Sequence, residues 1–192
     1  MTMRKIDQEG RMELIPCKVE EREPMVLWSE SYRLSRLHGL SPNSKSFLFK
    51  MIHTLLPSRE RVHHLSPASS PLCWCATGEQ ETYMYLFYRC SKNSDAAESL
   101  LRCVHAYDGN LTADRSLILD ITADEIFLLP TVTLLSTGLE LIWENRKLKK
   151  STPLYSIRAE LEAAVSLRRK SSSKKIREAG NVMFNMITNF LI

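Results

Sequence analysis

Between residues 131 and 191, apolar residues recur at three- and four-residue steps in three consecutive runs. The first carries Leu135, Leu139, Ile142 and Trp143. The second carries Leu154, Ile157, Leu161 and Val165. The third carries Val182, Met183, Met186, Ile187 and Phe190. Steps of this size put side chains on one face of a helix, whereas a strand would need strict alternation. The spacing predicts helices over about 131–149, 153–169 and 174–191, packed together through these stripes. Their punctuation agrees. A basic stretch, Arg146 to Lys150, suits a helix C-terminus, Thr152-Pro153 suits an N-terminus, and Ser171-Ser172-Ser173 separates the last two runs.

Earlier in the chain the same period appears in shorter pieces. Trp28, Tyr32, Leu34 and Leu37 are spaced for a helix that Gly39 ends, and Ser41-Pro42 reads as a cap with proline at the first helical position. The helix that follows, over 42–55, should bury Phe47, Leu48, Met51, Ile52 and Leu55, with His53 at its boundary. Pro57 stops it, and Ser58 can cap a short helix holding Arg59, Arg61, Val62, His63 and His64. Residues 94–107 read as a helix with Ala97, Leu100, Leu101 and Val104 inward and Cys103 on its flank. Residues 111–129 hold a short helix or two, with Thr122 and Glu125 at capping-box spacing. By contrast, residues 1–25 show no period and are interrupted by Pro16 and Pro24, which predicts a disordered or loosely docked tail. A 44% hydrophobic content is ample for one core over 26–192. The expected fold is therefore mainly α, a single helical domain.

The exception is 73–90. Cys73 and Cys75 are followed by the turn-prone Thr77-Gly78, the aromatic run Tyr83-Met84-Tyr85-Leu86-Phe87-Tyr88, and Cys90. Periodicity leaves that run open between a short strand and a helix start. Close cysteines around an aromatic run are the makings of a small cysteine knuckle inserted between the early and later helices. Zinc is held by four ligands, preferably thiolate and imidazole. Here three are present, Cys73 and Cys75 are one residue closer than the usual Cys-x-x-Cys pair, and His63 and His64 are the nearest candidates for a fourth.

Around this segment the chain resembles a known family. The run Leu55-Leu56-Pro57-Ser58-Arg59-Glu60-Arg61-Val62, then Ser70-Pro71-Leu72-Cys73, then Glu81-Thr82, Leu86-Phe87 and Cys90, is similar to the reverse-transcriptase zinc-binding domain of non-LTR (LINE-type) retrotransposons. That domain follows the polymerase, and its pattern runs "LPTRERL", Cys-x-x-Cys, then "ET-x-x-H-L-F-F-x-C". The likeness covers about 41–93. It implies ligand positions at Cys73, Cys75, Tyr85 and Cys90, and Tyr85 stands where the pattern has a histidine. The expectation is a degenerate zinc ribbon with two outcomes: no stable zinc, which is favoured because a lost ligand removes much of the ~10–16 kcal/mol of such a site, or a Cys3His site completed by His64 or His63. The resemblance also implies contacts to RNA or DNA beside a parent polymerase domain during target-primed reverse transcription.

Charge bears on the same question. The net charge is only +4, but residues 146–177 hold eleven Lys/Arg against Glu160 and Glu162. Such a block can meet phosphate, or can simply be a solvated helix face. Candidates for nucleic-acid contact are Arg59, Arg61, Arg89 and Lys92 at the knuckle and Arg168, Arg169, Lys170, Lys174 and Lys175 further on. Trp74, Tyr83 and Tyr88 are either stacking faces or the mini-core of the knuckle. The two-metal chemistry of a polymerase needs paired aspartates. No Asp-Asp pair occurs, nor a phosphate-binding glycine loop, an H-E-x-x-H or a G-x-S-x-G motif. The expectation is a domain that is not an enzyme by itself, although its parent would be an RNA-directed DNA polymerase. The rival is a helical structural or protein-interaction module with a vestigial zinc motif. Five clustered cysteines, no apolar leader and no stretch of about 18 apolar residues point to an intracellular protein, cytoplasmic or nuclear, with no membrane partner.

Overall fold

The computed structural model describes residues 3–6, 12–15 and 28–190, and side chains over 28–189. Strands β1 (Met3–Ile6) and β2 (Met12–Ile15) pair antiparallel, with Met3 opposite Ile15 and Ile6 opposite Met12. The rest of the stretch expected to be a tail lies outside the described residues. Helices follow: α1 (Trp28–Leu34), α2 (Pro42–Ile52), α3 (Arg59–Leu65), a one-turn π-helix (Tyr85–Arg89), α4 (Ser94–His105), α5 (Ala113–Leu117), α6 (Glu125–Lys147), α7 (Leu154–Arg169) and α8 (Lys174–Phe190). The domain is mainly α, as the period predicts.

Helix α6 is the axis of the core. It is enclosed on most sides, with Leu128, Val132, Leu134, Leu135, Leu139, Ile142 and Trp143 all buried. Helices α7 and α8 pack on it and on each other through Ile157, Leu161 and Val165 from one and Ala179, Met183, Met186 and Ile187 from the other. The side chain of Phe190 lies outside the described residues. Contrary to the expectation of no such stretch, α6 is long and apolar enough to cross a membrane, with a mean hydropathy of 1.6 over its best window. The small polar residues Thr131, Thr133 and Ser136 hardly lower that average. Some 72% of the window is buried inside the protein, so its apolarity is that of a helix packed all round.

The helix also begins six residues earlier than its stripe implies. Pro130 lies within it, in the second turn, where it lacks the N–H for the Ile126 carbonyl. Ile126 is 61% exposed, so solvent reaches that turn. The capping box does not form. Asp124 stands at the N-cap position with no side-chain hydrogen bond to the helix, and Thr122 gives its N–H and hydroxyl to the Asp108 carboxylate at 2.6 and 2.9 Å. At Gly138, α6 comes close to α4: a Cβ there would stand 2.5 Å from Leu100 Cδ2.

The shorter elements follow their local chemistry. Ser41 caps α2 by accepting from Ser44 N at 3.0 Å, with Pro42 at the first helical position. The helix ends at Ile52, three residues sooner than expected. Thr54 turns the chain at φ 51°, which leaves Leu55 46% exposed and off the buried stripe. His53 stacks on Tyr32 with ring centroids 5.2 Å apart. In α4, Cys103 is fully buried rather than flanking, with its thiol 3.5 Å from the Met186 carbonyl, while Leu101 is the half-buried neighbour.

Candidate functional site

The knuckle is built from the backbone outward. Leu72 bridges Gln80 antiparallel, Cys73 N donates to Glu79 O at 2.8 Å, and Glu81 N donates to Pro71 O at 2.9 Å. Between these edges the chain turns through Ala76 (φ 65°) and Gly78 (φ 82°), a tight tip with Cys75 on it. The aromatic run is a helix. Thr82 Oγ1 caps it by accepting from Tyr85 N at 3.0 Å. It widens into the π-turn, where Cys90 N donates to Tyr85 O at 2.7 Å. That extra residue in the turn sets Cys90 under the loop that carries the other two cysteines.

Three sulfurs meet as a result. Cys73 Sγ and Cys90 Sγ are 3.7 Å apart, and all three lie within 4.8 Å of one another. Cys73 and Cys90 are buried and Cys75 is half-buried. The Tyr85 hydroxyl is 3.3 Å from Cys75 Sγ and 2.5 Å from Thr77 Oγ1, which itself is 3.2 Å from Cys75 Sγ. Tyr85 thus stands beside the sulfurs, where the resemblance puts a ligand. Sequence reasoning misses Thr77, although a hydroxyl two residues beyond a cysteine is there to read. The backbone at Cys75, Thr77 and Lys92 acts to lower the Cys73, Cys75 and Cys90 thiols respectively.

These surroundings divide the thiols. Burial pushes Cys73 well above the ordinary thiol range and raises Cys90. Burial acts upward on Cys75 too, but the Thr77 and Tyr85 hydroxyls outweigh it and bring that thiol down to about 6. Burial and the neighbouring Cys75 raise the Tyr85 phenol to about 12. The two histidines do not join the group. His63 Nδ1 is 2.7 Å from Ser69 O, His64 is exposed on α3, and among the described residues the cluster contains no imidazole nitrogen.

One carboxylate fixes the knuckle to the core. Glu81 is fully buried, and its Oε1 accepts from Arg59 N at 2.9 Å and from Arg146 Nε at 3.1 Å and Nη2. It therefore satisfies the first turn of α3 and pairs with the last turn of α6. Arg146 also donates to Pro57 O at 3.2 Å and lies 4.9 Å over the Trp143 ring. The sequence pairs Glu81 only with Thr82; the Arg146 partner, 65 residues away, carries no local signal.

The nine basic candidates fall in two places. At the knuckle, Arg59 Nη1 is engaged by Leu72 O at 2.9 Å, Arg61 is half-buried, and Arg89 and Lys92 are exposed. The Lys92 carbonyl accepts from Thr152 N at 3.1 Å, which brings the exposed Lys147, Lys149 and Lys150 to the same end of α6. At the other end of α6, Lys175 pairs with Glu125 at 3.4 Å and Lys174 with Glu178 at 3.8 Å. At 1.5 Å per residue the two ends of α6 are about 30 Å apart. Arg169 lies 5.0 Å over the Phe184 ring, and Lys170 is exposed. Arg168 is turned inward, donating to Gly39 O at 3.1 Å and Thr133 Oγ1 at 3.3 Å, and burial lowers its pKa. The aromatics are also drawn in. Tyr83 Oη donates to Leu56 O at 2.6 Å, Tyr88 Oη meets Ser116 Oγ, and Trp74 is half-buried.

No protein-family model, curated protein or solved structure matches this chain. The chemistry rests on the residues themselves. Three cysteine sulfurs are close enough to hold one metal ion. They fall one donor short of the tetrahedron that structural zinc takes, and the neighbouring phenol is a poor substitute for imidazole.

Proposed function

We propose that the chain is a non-catalytic accessory domain of a reverse transcriptase of the non-LTR retrotransposon type, a fragment or derivative of the polymerase that it serves, and that it contacts RNA or DNA. The observation that carries this reading is the convergence at the knuckle. The Thr152–Lys92 and Arg146–Glu81 contacts bring Lys92, on the knuckle that also carries Arg89, to the end of α6 followed by Lys149 and Lys150, while Lys147 there pairs with Glu144 at 2.6 Å. The resemblance adds support, because the residues that carry it have structural work here. Glu81 ties two helices, Thr82 caps the aromatic helix, and Leu86 and Phe87 are fully buried. Zinc belongs to this reading only as a weakly held ion on Cys73, Cys75 and Cys90.

Fluorescence anisotropy with short RNA and DNA over a salt series tests the proposal. Phosphate contacts release counterions, so log K should fall linearly with log salt. Replacing Lys149 and Lys150 together by Glu should weaken binding and flatten the slope by about 2, one for each phosphate that is no longer neutralised. Replacing Lys174 and Lys175 by Glu should do less, since both already face carboxylates. No binding at the lowest salt favours the rival, a protein-interaction module. That rival has its own support in a groove of about 650 Å³ between α7 and α8, lined by Val165, Phe184 and Ile187 with Arg158 and Arg169 at its rim.

A further inference from the structure

The donor set at the knuckle is soft and small. Its three sulfurs come from a loop edge, a loop tip and the end of a π-turn, and no carboxylate or imidazole of the described residues joins them. Hard cations such as calcium and magnesium take oxygen ligands, so this group does not suit them. Structural zinc takes four donors, and here Cys75 has the Tyr85 and Thr77 hydroxyls at 3.3 and 3.2 Å beside it rather than a fourth thiolate or an imidazole. Thiolates favour monovalent copper among the soft ions, and copper in that state accepts three ligands in a plane. With metal–sulfur bonds of about 2.3 Å, an ion among three coplanar sulfurs holds them about 4 Å apart. The 3.7 Å between Cys73 and Cys90, and the 4.8 Å limit on the others, leave only small movements to reach that arrangement.

The surroundings suit a site with more negative charge than the ion cancels. The Tyr85 hydroxyl can donate to Cys75, the most exposed of the three, while accepting from the Thr77 hydroxyl. Two sulfurs are buried, which shields the ion from solvent, and the half-buried third leaves an approach for it.

We propose that Cys73, Cys75 and Cys90 form a three-coordinate thiolate site for Cu(I), with Tyr85 beside the ion as a hydrogen-bond donor rather than a ligand. The three thiols lose their protons to solvent as the ion binds, and no oxidation state changes. This inference stands on the cysteine cluster alone and does not depend on nucleic-acid binding.

The test uses the full chain, reduced and kept free of oxygen, titrated with Cu(I) against the chelator bathocuproine disulfonate. One Cu(I) per chain should be withheld from the chelator, X-ray absorption should show three sulfur neighbours, and an equal amount of Zn(II) should not displace it. Cys75→Ser is the informative variant because Cys75 is only half-buried and the fold can be verified by circular dichroism. It should weaken Cu(I) by more than the about 10- to 100-fold typical of losing an outer partner. Tyr85→Phe should still bind one Cu(I), whereas Tyr85→His should shift the preference to zinc. Displacement of copper by zinc in the wild type overturns the proposal. So does Cu(I) affinity unchanged in a folded Cys75→Ser protein, or a wild type that gives all its copper to the chelator.

Discussion

The bundle of α6, α7 and α8 and the cysteine knuckle meet at Arg146, which pairs with Glu81, but they are held by different forces. The bundle is stabilised by many interchangeable contacts. Leu134, Leu135, Leu139, Ile142, Leu161, Met183 and Met186 are fully buried, each worth about 1.5–3 kcal/mol of apolar transfer. The knuckle buries Cys73, Leu86, Phe87 and Cys90 and otherwise depends on single polar ties: Glu81 to Arg59 and Arg146, Tyr83 to Leu56, and Asn93 Nδ2 to Leu86 O at 3.1 Å. Removing one apolar side chain leaves the rest of the packing in place. Removing one partner of a buried polar tie strands the other, so the knuckle's stability is concentrated in few residues.

The largest expected effect is on the bundle. Leu139→Ala removes a fully buried side chain midway along α6, and its neighbours on several helices cannot all close the gap. The cost should be about 4 kcal/mol. Urea denaturation followed by circular dichroism should show one transition at a lower midpoint, with the knuckle melting alongside the helices. A shift worth under about 1 kcal/mol would mean that α6 is not the shared core.

Glu81→Ala attacks the other region. It leaves Arg146, only 14% exposed, without its carboxylate and Arg59 N without its acceptor. Breaking a buried pair in this way costs about 3 kcal/mol. The loss should be local. Hydrogen exchange should quicken at Cys73, Glu81 and Arg61 while amides in the middle of α8 keep their protection. Uniform quickening across α8 would show that the two regions unfold as one.

The same contrast explains what can be read from the sequence. The bundle is legible because its signal is local: Leu135, Leu139, Ile142 and Trp143 announce a helix face without knowledge of its partners. Its start is not, because Pro130 argues for a break between a short helix and the long one; the Thr122–Glu125 spacing does mark a helix start close to the observed one, although Thr122 bonds to Asp108 instead of capping it. At the knuckle, the meeting of three sulfurs with Tyr85 is what the resemblance implies. The helical form of 83–89 is not legible, since an aromatic run has no decisive period. Neither the Glu81–Arg146 pair nor the approach of Lys149 and Lys150 to Lys92 can be read, because each joins residues far apart in the chain with no local mark on either partner.

Gly138→Ala sharpens the comparison inside the core. A Cβ at this position would meet Leu100 Cδ2 at 2.5 Å, so Leu100 must change rotamer or α4 must shift. Overpacking costs about 1–3 kcal/mol, and alanine returns about 1 kcal/mol as the better helix former. The net loss should be roughly 1 kcal/mol in thermal or urea unfolding. Leu100→Ala in the same chain should reverse the sign of the Gly138→Ala effect, because the clash is then gone and the propensity gain remains. A Gly138→Ala effect that is the same in both backgrounds would refute the close packing of α4 on α6.

The smallest effect separates a cysteine of the core from those of the knuckle. Cys103 is fully buried, lies against the Met186 carbonyl, and has its thiol pushed by burial from about 9 up to about 12. The folded state therefore keeps the proton while the unfolded chain gives it up. Stability from this group is intact below about pH 9 and declines as pH rises from there toward about 12. At about pH 9.5 the decline should be about 0.8 kcal/mol. Cys103→Ala removes it. The variant should be the less stable protein at about pH 7, through the small cavity it leaves, and should recover about that amount relative to wild type by about pH 9.5. Parallel stability curves for the two proteins across that range would mean that Cys103 is open to water, and that the core at α4 and α8 is looser than its packing implies.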